Sequence, residues 1–246
     1  MPHPHANPAP STHFNASPIL LAVLMSIAVS LSHAQSQPPD PAFLQTFERV
    51  KTVAAHNRQL LAQYSWMEQD IVSVKGKETH EQVFGVQLGP DGKLQKTPLD
   101  LSDDDRARFG LRAKVAEKKM VEYEEYTESL VALAQQYVPP DVRQLEWDAQ
   151  HGKLKMDPES SETTYHMVTS SFVQQGDRML LAFDKTQDDM VTLWIDTYLD
   201  QPANAVNIDV QFARMPSGPT HPSAVTGNLS NKELIVTIHN FNYQHL

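Results

Sequence analysis

The chain has 246 residues, 30 acidic against 20 basic side chains, a net charge of −10 and no cysteine. The missing thiols exclude disulfide staples, zinc–thiolate and iron–sulfur sites, a thiol nucleophile and a lipid on an N-terminal cysteine, so the fold has to be held by its own core. The acidic balance, with no basic cluster standing out, excludes nucleic acid as a natural partner and anchoring on anionic headgroups by charge alone.

In chain order, the first element is the apolar run Ile19–Leu31, followed by Ser-His-Ala34. This pattern predicts a signal peptide over residues 1–34 with cleavage after Ala34, and hence a periplasmic or secreted protein. Ahead of the apolar run, His3, His5, His13 and the α-amino group are the only cations, where such a leader ordinarily carries Lys or Arg. A spanning helix takes about 20 apolar residues, so the segment is too short to span and the processed protein is expected not to cross a membrane. Gln35–Asp40 reads as a disordered leader. Pro41–Gln63 predicts a helix, capped by Asp40, with Phe43, Phe47, Val50, Ala54 and Leu61 on one face. Tyr64–Val74, Val83–Leu88 and Lys93–Thr97 predict a three-stranded meander. Its turns fall at Lys75-Gly-Lys77 and Gly89-Pro-Asp-Gly92.

Asp103–Tyr137 reads as one long helix stopped by Pro139-Pro140, with Asp103, Asp104 and Asp105 in its first turn. From Tyr165 onward the pattern is antiparallel strands in series. Turns are expected at Gln174–Asp177, Asp184–Asp189, Asp200–Ala203, Pro216–Pro222 and Ser230–Glu233. Val206, Ile208, Val210 and Phe212 alternate with polar residues, which predicts one dry and one wet face. Met190–Leu199 is apolar on both faces, which calls for cover on both. Near His239-Asn240 the apolar phase of the last strand switches from even to odd positions, which predicts a bulge or bend.

Motifs for catalysis are missing. There is no Gly-x-Ser-x-Gly, no phosphate loop and no Gly-x-Gly-x-x-Gly, and His80-Glu81 is not followed by a second His at position 84. The histidines after residue 34 form no pair at metal-ligand helical spacing, and the Asp runs lack the alternation of a calcium loop. No catalytic residue, metal or cofactor is therefore assigned, and the protein is read as a non-enzyme. What remains is apolar and aromatic material in the sheet region. It is mostly ordinary core, but Trp66, Phe84, Phe183, Leu193, Trp194, Ile195, Tyr198 and Phe212 are the candidates to line an apolar cavity.

The order of elements, with Leu60-Leu-Ala-Gln-Tyr-Ser-Trp66, the Gly92-Lys-Leu turn and Gly176-Asp-Arg-Met-Leu-Leu-Ala-Phe-Asp184, resembles the periplasmic lipoprotein-carrier superfamily of LolA/LolB-like half-barrels. It is also similar to uncharacterised exported bacterial proteins. The resemblance implies an α+β fold: a curved antiparallel sheet, or incomplete β-barrel, over 41–246, covered by an N-terminal helix and by a long helix inserted at about 103–137. It also implies non-covalent binding of an acyl chain or another lipophilic group. The competing expectation is an envelope structural or regulatory protein acting through contacts with a partner protein.

Overall fold

A computed structural model describes residues 40–90, 93–109, 111 and 123–246. The predicted signal peptide and leader lie outside the described residues, Asp40 excepted. Helix α1 (Pro41–Leu61) starts as its sequence demands. Asp40 accepts the Ala42 N–H at 2.9 Å, and Pro41, which has no N–H to satisfy, occupies the first position. Phe43, Phe47 and Val50 recur at helical spacing and are buried.

Strands β1 (Tyr64–Val74), β2 (Lys77–Leu88) and β3 (Leu94–Leu99) form the meander. Helices α2 (Asp103–Arg108), α3 (Glu124–Tyr137) and α4 (Val142–Gln150) follow, and then strands β4 (Lys155–Asp157), β5 (Thr164–Ser170), β6 (Arg178–Asp184), β7 (Met190–Tyr198), β8 (Ala205–Arg214), β9 (Thr220–Leu229) and β10 (Leu234–His245). All ten strands belong to one antiparallel sheet in the order β3-β2-β1-β10-β9-β8-β7-β6-β5-β4. The two ends of that order, β3 and β4, are unpaired with each other among the described residues, so the sheet is open. The protein is α+β, an incomplete barrel as expected.

One face of the sheet carries the core. Val72, Val74, Leu181, Leu193, Ile195, Ile208, Val210, Leu229, Leu234 and Val236 meet Phe43, Phe47 and Val50 of α1, Leu130, Leu133 and Tyr137 of α3, and Leu145 and Ala149 of α4. Gly227 lets α3 come close. A Cβ there would lie 3.2 Å from the Leu130 side chain. Buried polar anchors fix the helices. Asn57 of α1 donates to Asp189 at 3.2 Å and accepts the Thr220 N–H at 3.1 Å, while Thr220 donates to Asp189 at 2.8 Å. Tyr137 of α3 donates to Asp177 at 2.7 Å. The Asp177 carboxylate also takes the backbone N–H groups of Phe172, Val173 and Gln174.

Four local outcomes differ from the sequence reading or refine it. The single helix expected over 103–137 is interrupted: α2 ends at Arg108, Phe109 turns, and α3 begins at Glu124, with 112–122 outside the described residues. Helix α4 went unread, because Asp148 interrupts its apolar stripe; buried, it accepts from Thr169 at 2.8 Å. Pro222, expected in a turn, sits inside β9 at a bulge where the register with β8 shifts, a place where a strand tolerates a missing N–H. The phase change in β10 is also a bulge. Pairing with β9 stops at His239, and Asn242 adopts φ +54° where the β1–β10 register shifts between Ser65 and Met67.

Candidate functional site

Alternation along β1 puts Trp66, Glu68 and Asp70 on the same side as the core residues Val72 and Val74. The core-bearing face of the sheet therefore changes character towards β3, from aliphatic to aromatic and charged. Phe84 and Asn240 flank Glu68 on the neighbouring strands, and Gln82 stands opposite Asp70. Lys96 of β3 pairs with Glu68 and lies 5.7 Å from the centre of the Phe84 ring. Trp66 donates its indole N–H to Asn240 at 3.0 Å, and Asn240 in turn donates to the Pro222 carbonyl at 3.1 Å. The Trp66 ring stacks on Tyr243 at 5.5 Å, and Tyr243 meets the His221 ring at 4.1 Å.

The electrostatics follow from burial. Asp70 is pushed up to about 7, first by loss of solvent and then by the neighbouring Glu68 carboxylate, with Lys96 opposing. Its Oδ1 is buried with no hydrogen-bond partner among the described residues. Burial raises Tyr243, helped by the charge of Glu68. Burial also lowers His221, against the pull of the Pro222 carbonyl that its ring nitrogen faces.

On the other side of β1 and β2 the sheet opens into a groove of about 350 Å³. Ser65, Trp66, Met67, Gly85 and Val86 line it, with Gln87, Gln95, Thr97, Asn242 and Gln244 supplying polar groups. The β10 bulge lies opposite Trp66, so this tryptophan both stacks on Tyr243 and borders the groove. A second hollow of about 500 Å³ lies between the end of α1 and the end of β2, lined by Arg58, Ala62, Leu88 and Pro90 among others, and the two share Gln87. Helix α2 is fastened near the first groove. Arg106 forms a buried ion pair with Glu81, Gln69 donates to Glu81 at 2.8 Å, and Phe109 meets Phe241 edge-on at 6.0 Å.

The eight residues proposed for an apolar cavity do not come together. Leu193 and Ile195 are fully buried and Phe183 nearly so, all three in the packed core. Trp194 stands between Leu193 and Ile195 on the strand, so it must face the opposite side, where it is 55% exposed. Tyr198 is half-buried and its hydroxyl donates to the Gln175 carbonyl, while Phe212 packs on the rim of the core at the β8–β9 bulge. Trp66 borders the groove and Phe84 the charged cluster. Glu68, Asp70, Lys96, His221 and Tyr243 were not singled out. For the two acids the signal was present, since they share strand parity with Val72 and Val74. Among the described residues no group of three or more His, Asp or Glu side chains is placed to hold a metal ion.

The class defined here is an open ten-stranded α+β half-barrel whose aliphatic core gives way to grooves and a charged aromatic cluster at the β1–β3 end. No family model matches the chain, and no curated protein does. Among solved structures it is similar to a DUF1329 family protein from Desulfovibrio piger, at 10% identity and a TM-score of 0.42, covering 85% of this chain and 94% of the other. It is similar to a LolA superfamily protein from Nitrosomonas europaea, at 8% identity and a TM-score of 0.38, covering 82% and 93%. A third likeness is to a domain from Vibrio parahaemolyticus described as outer membrane lipoprotein-sorting, at 6% identity and a TM-score of 0.36, covering 82% and 92%.

Proposed function

We propose that the protein is an exported, non-catalytic binding protein, with 41–246 as one half-barrel-like domain, that holds an acyl chain or another lipophilic group. The observation that carries this reading is the groove of about 350 Å³ beside Trp66 and Met67, within the roughly 300–1,000 Å³ of small-molecule sites. Met67 gives the groove an apolar side chain beside the backbone of Gly85 and the edge of Trp66, and Gln87, Gln95 and Thr97 offer hydrogen bonds to a polar end of the ligand. The core face itself is filled by α1, α3 and α4, so the ligand is assigned to the groove and not to the space under the helices. Export rests on the apolar run Ile19–Leu31 and its Ala34 site.

Native mass spectrometry of the protein, purified from its own envelope without detergent and followed by lipid extraction, tests the reading. The expected result is a co-purifying acyl-containing species, lost or strongly reduced in Trp66→Ala. A clean protein mass with no uptake of a fluorescent fatty acid overturns it. That result would favour the second reading, an envelope protein working through protein contacts. Its supporting observation is Trp194, 55% exposed on the sheet face turned away from the core.

A further inference from the structure

The segment 142–156 differs from the rest of this acidic chain. It carries three cations, Arg143, Lys153 and Lys155, against two carboxylates, and is flanked by Asp141, which caps α4 through the Arg143 N–H, and by Asp157, which pairs with Arg178 at 3.7 Å. Both carboxylates are engaged within the protein: Glu146 pairs with Lys51 of α1 at 3.1 Å, and buried Asp148 accepts from Thr169 and Gln144. The same segment exposes Val142, Trp147 and Met156 at 42%, 43% and 41%. Arg143, Trp147 and His151 follow one another at four-residue spacing and form a single ridge along α4. Arg143 is 91% exposed, with Asp141 at 3.6 Å as its neighbour. His151 stacks on the Trp147 ring at 4.1 Å, and the Lys153 ammonium lies 4.6 Å from the centre of that ring. The indole is thus held in a fixed pose beside cations, and a large part of it still faces solvent.

We propose that this α4 ridge, with the turn that follows it, is a contact surface for an anionic lipid bilayer. A tryptophan with an apolar body and a polar N–H is suited to the headgroup level. Arg143, His151 and Lys153 supply the charge complementary to anionic headgroups, while the net charge of −10 disfavours contact through the acidic remainder of the chain. Glu159 and Glu162 follow beyond β4 and confine the contact to the ridge. The surface is separate from the groove at β1–β3, and its test is independent of ligand binding.

The test is sedimentation of the full-length protein with vesicles of phosphatidylcholine alone and of phosphatidylcholine mixed equally with phosphatidylglycerol. Binding is expected only with the anionic lipid and is expected to weaken with salt. Lys153→Gln is expected to lower the partition coefficient about fivefold, Lys153→Arg to preserve it, and Trp147→Ser to lower it at least as much as Lys153→Gln. Both side chains substituted are exposed, so unchanged thermal melts are expected alongside. Quenching of tryptophan emission by a brominated phosphatidylglycerol, lost in Trp147→Phe, gives a second reading of the same contact. Equal sedimentation of the wild type, Lys153→Gln and Trp147→Ser proteins overturns the proposal, because binding would then come from another segment such as the N-terminal apolar run. No sedimentation with either vesicle overturns it as well and points to an acidic protein partner for this ridge.

Discussion

Asp70 is the residue whose charge costs the fold most visibly. Its pKa is near 7 in the folded protein against an ordinary 3.8, because burial and Glu68 disfavour its carboxylate. The folded state therefore holds the proton more tightly than the unfolded chain. The stability this contributes is complete below about pH 4 and is lost as pH rises through about 7. Asp70→Asn removes the titration, and the variant is expected to melt higher than wild type at about pH 8, by a few kcal/mol at most, with the gap narrowing towards about pH 5. Thermal melts across that range decide it, and a constant gap would mean that Asp70 is not the titrating group. At Leu193 and Trp194, adjacent residues call for opposite outcomes. Trp194→Asp is expected to change stability by no more than about 0.5 kcal/mol, because the indole is exposed, whereas Leu193→Ala is expected to cost about 2–5 kcal/mol. Denaturant titration of the two variants measures both. The sequence shows that Met190–Leu199 is apolar on both faces. It does not show that one of those faces remains in water, since that depends on which side the helices take.

At the scale of elements, α3 is held by a close approach and by a buried hydroxyl. Gly227→Ala brings a methyl to 3.2 Å from Leu130, and α3 has to shift to admit it, at an expected cost of about 1–3 kcal/mol. Tyr137→Phe removes the hydroxyl shared with Asp177 at 2.7 Å and Thr197 at 2.9 Å and is expected to cost about 1–3 kcal/mol. If Tyr137→Phe melts like wild type, the loop from Phe172 to Asp177 is held by its backbone donors alone. Elements with clean periodicity were legible. Helix α1 with its Asp40 cap and strand β1 appear where spacing and turn residues put them, as do the late strands apart from Pro222, while β2 starts at Lys77, ahead of Val83 where its apolar pattern begins. Helix α4 and the charged end of the sheet went unread because each carries a polar side chain on its inward face. In α4 it is Asp148, whose partner Thr169 comes from a strand not yet formed when the helix is read as a sequence. In β1, itself read correctly as a strand, it is Glu68, whose partner Lys96 lies two strands away. Local pattern cannot reveal a compensating group that only the tertiary fold supplies.

The whole molecule is organised around the last strand. Strand β10 lies between β1 and β9, so among the described residues the N-terminal meander is hydrogen-bonded to the remaining strands only through residues 234–245. Strand order of this kind was not legible, because each hairpin in the sequence specifies only its own neighbour. The closing pair joins residues as far apart as Tyr64 and His245, and such non-local pairing makes closure late and slow. A chain ending before Leu234 would leave β1 and β9 as two long unpaired edges. It would also strip Leu234 and Val236 from the core and remove Asn240 from Trp66 and Tyr243 from His221. Such a truncated chain is expected to aggregate, since an exposed apolar strand edge is a template for pairing with other copies. Loss of β3, at the outer edge, is expected to be survivable, because its residues are almost all exposed and only β2 pairs with it. Hydrogen exchange on the intact protein gives the same contrast without truncation. Amides of β1, β9 and β10 in their shared ladders are expected to exchange together and slowest, and those of β3 fastest among the strands. Fast, independent exchange of β1 would show that the meander stands apart from the closing strand, and the groove beside Trp66 would then be formed without it.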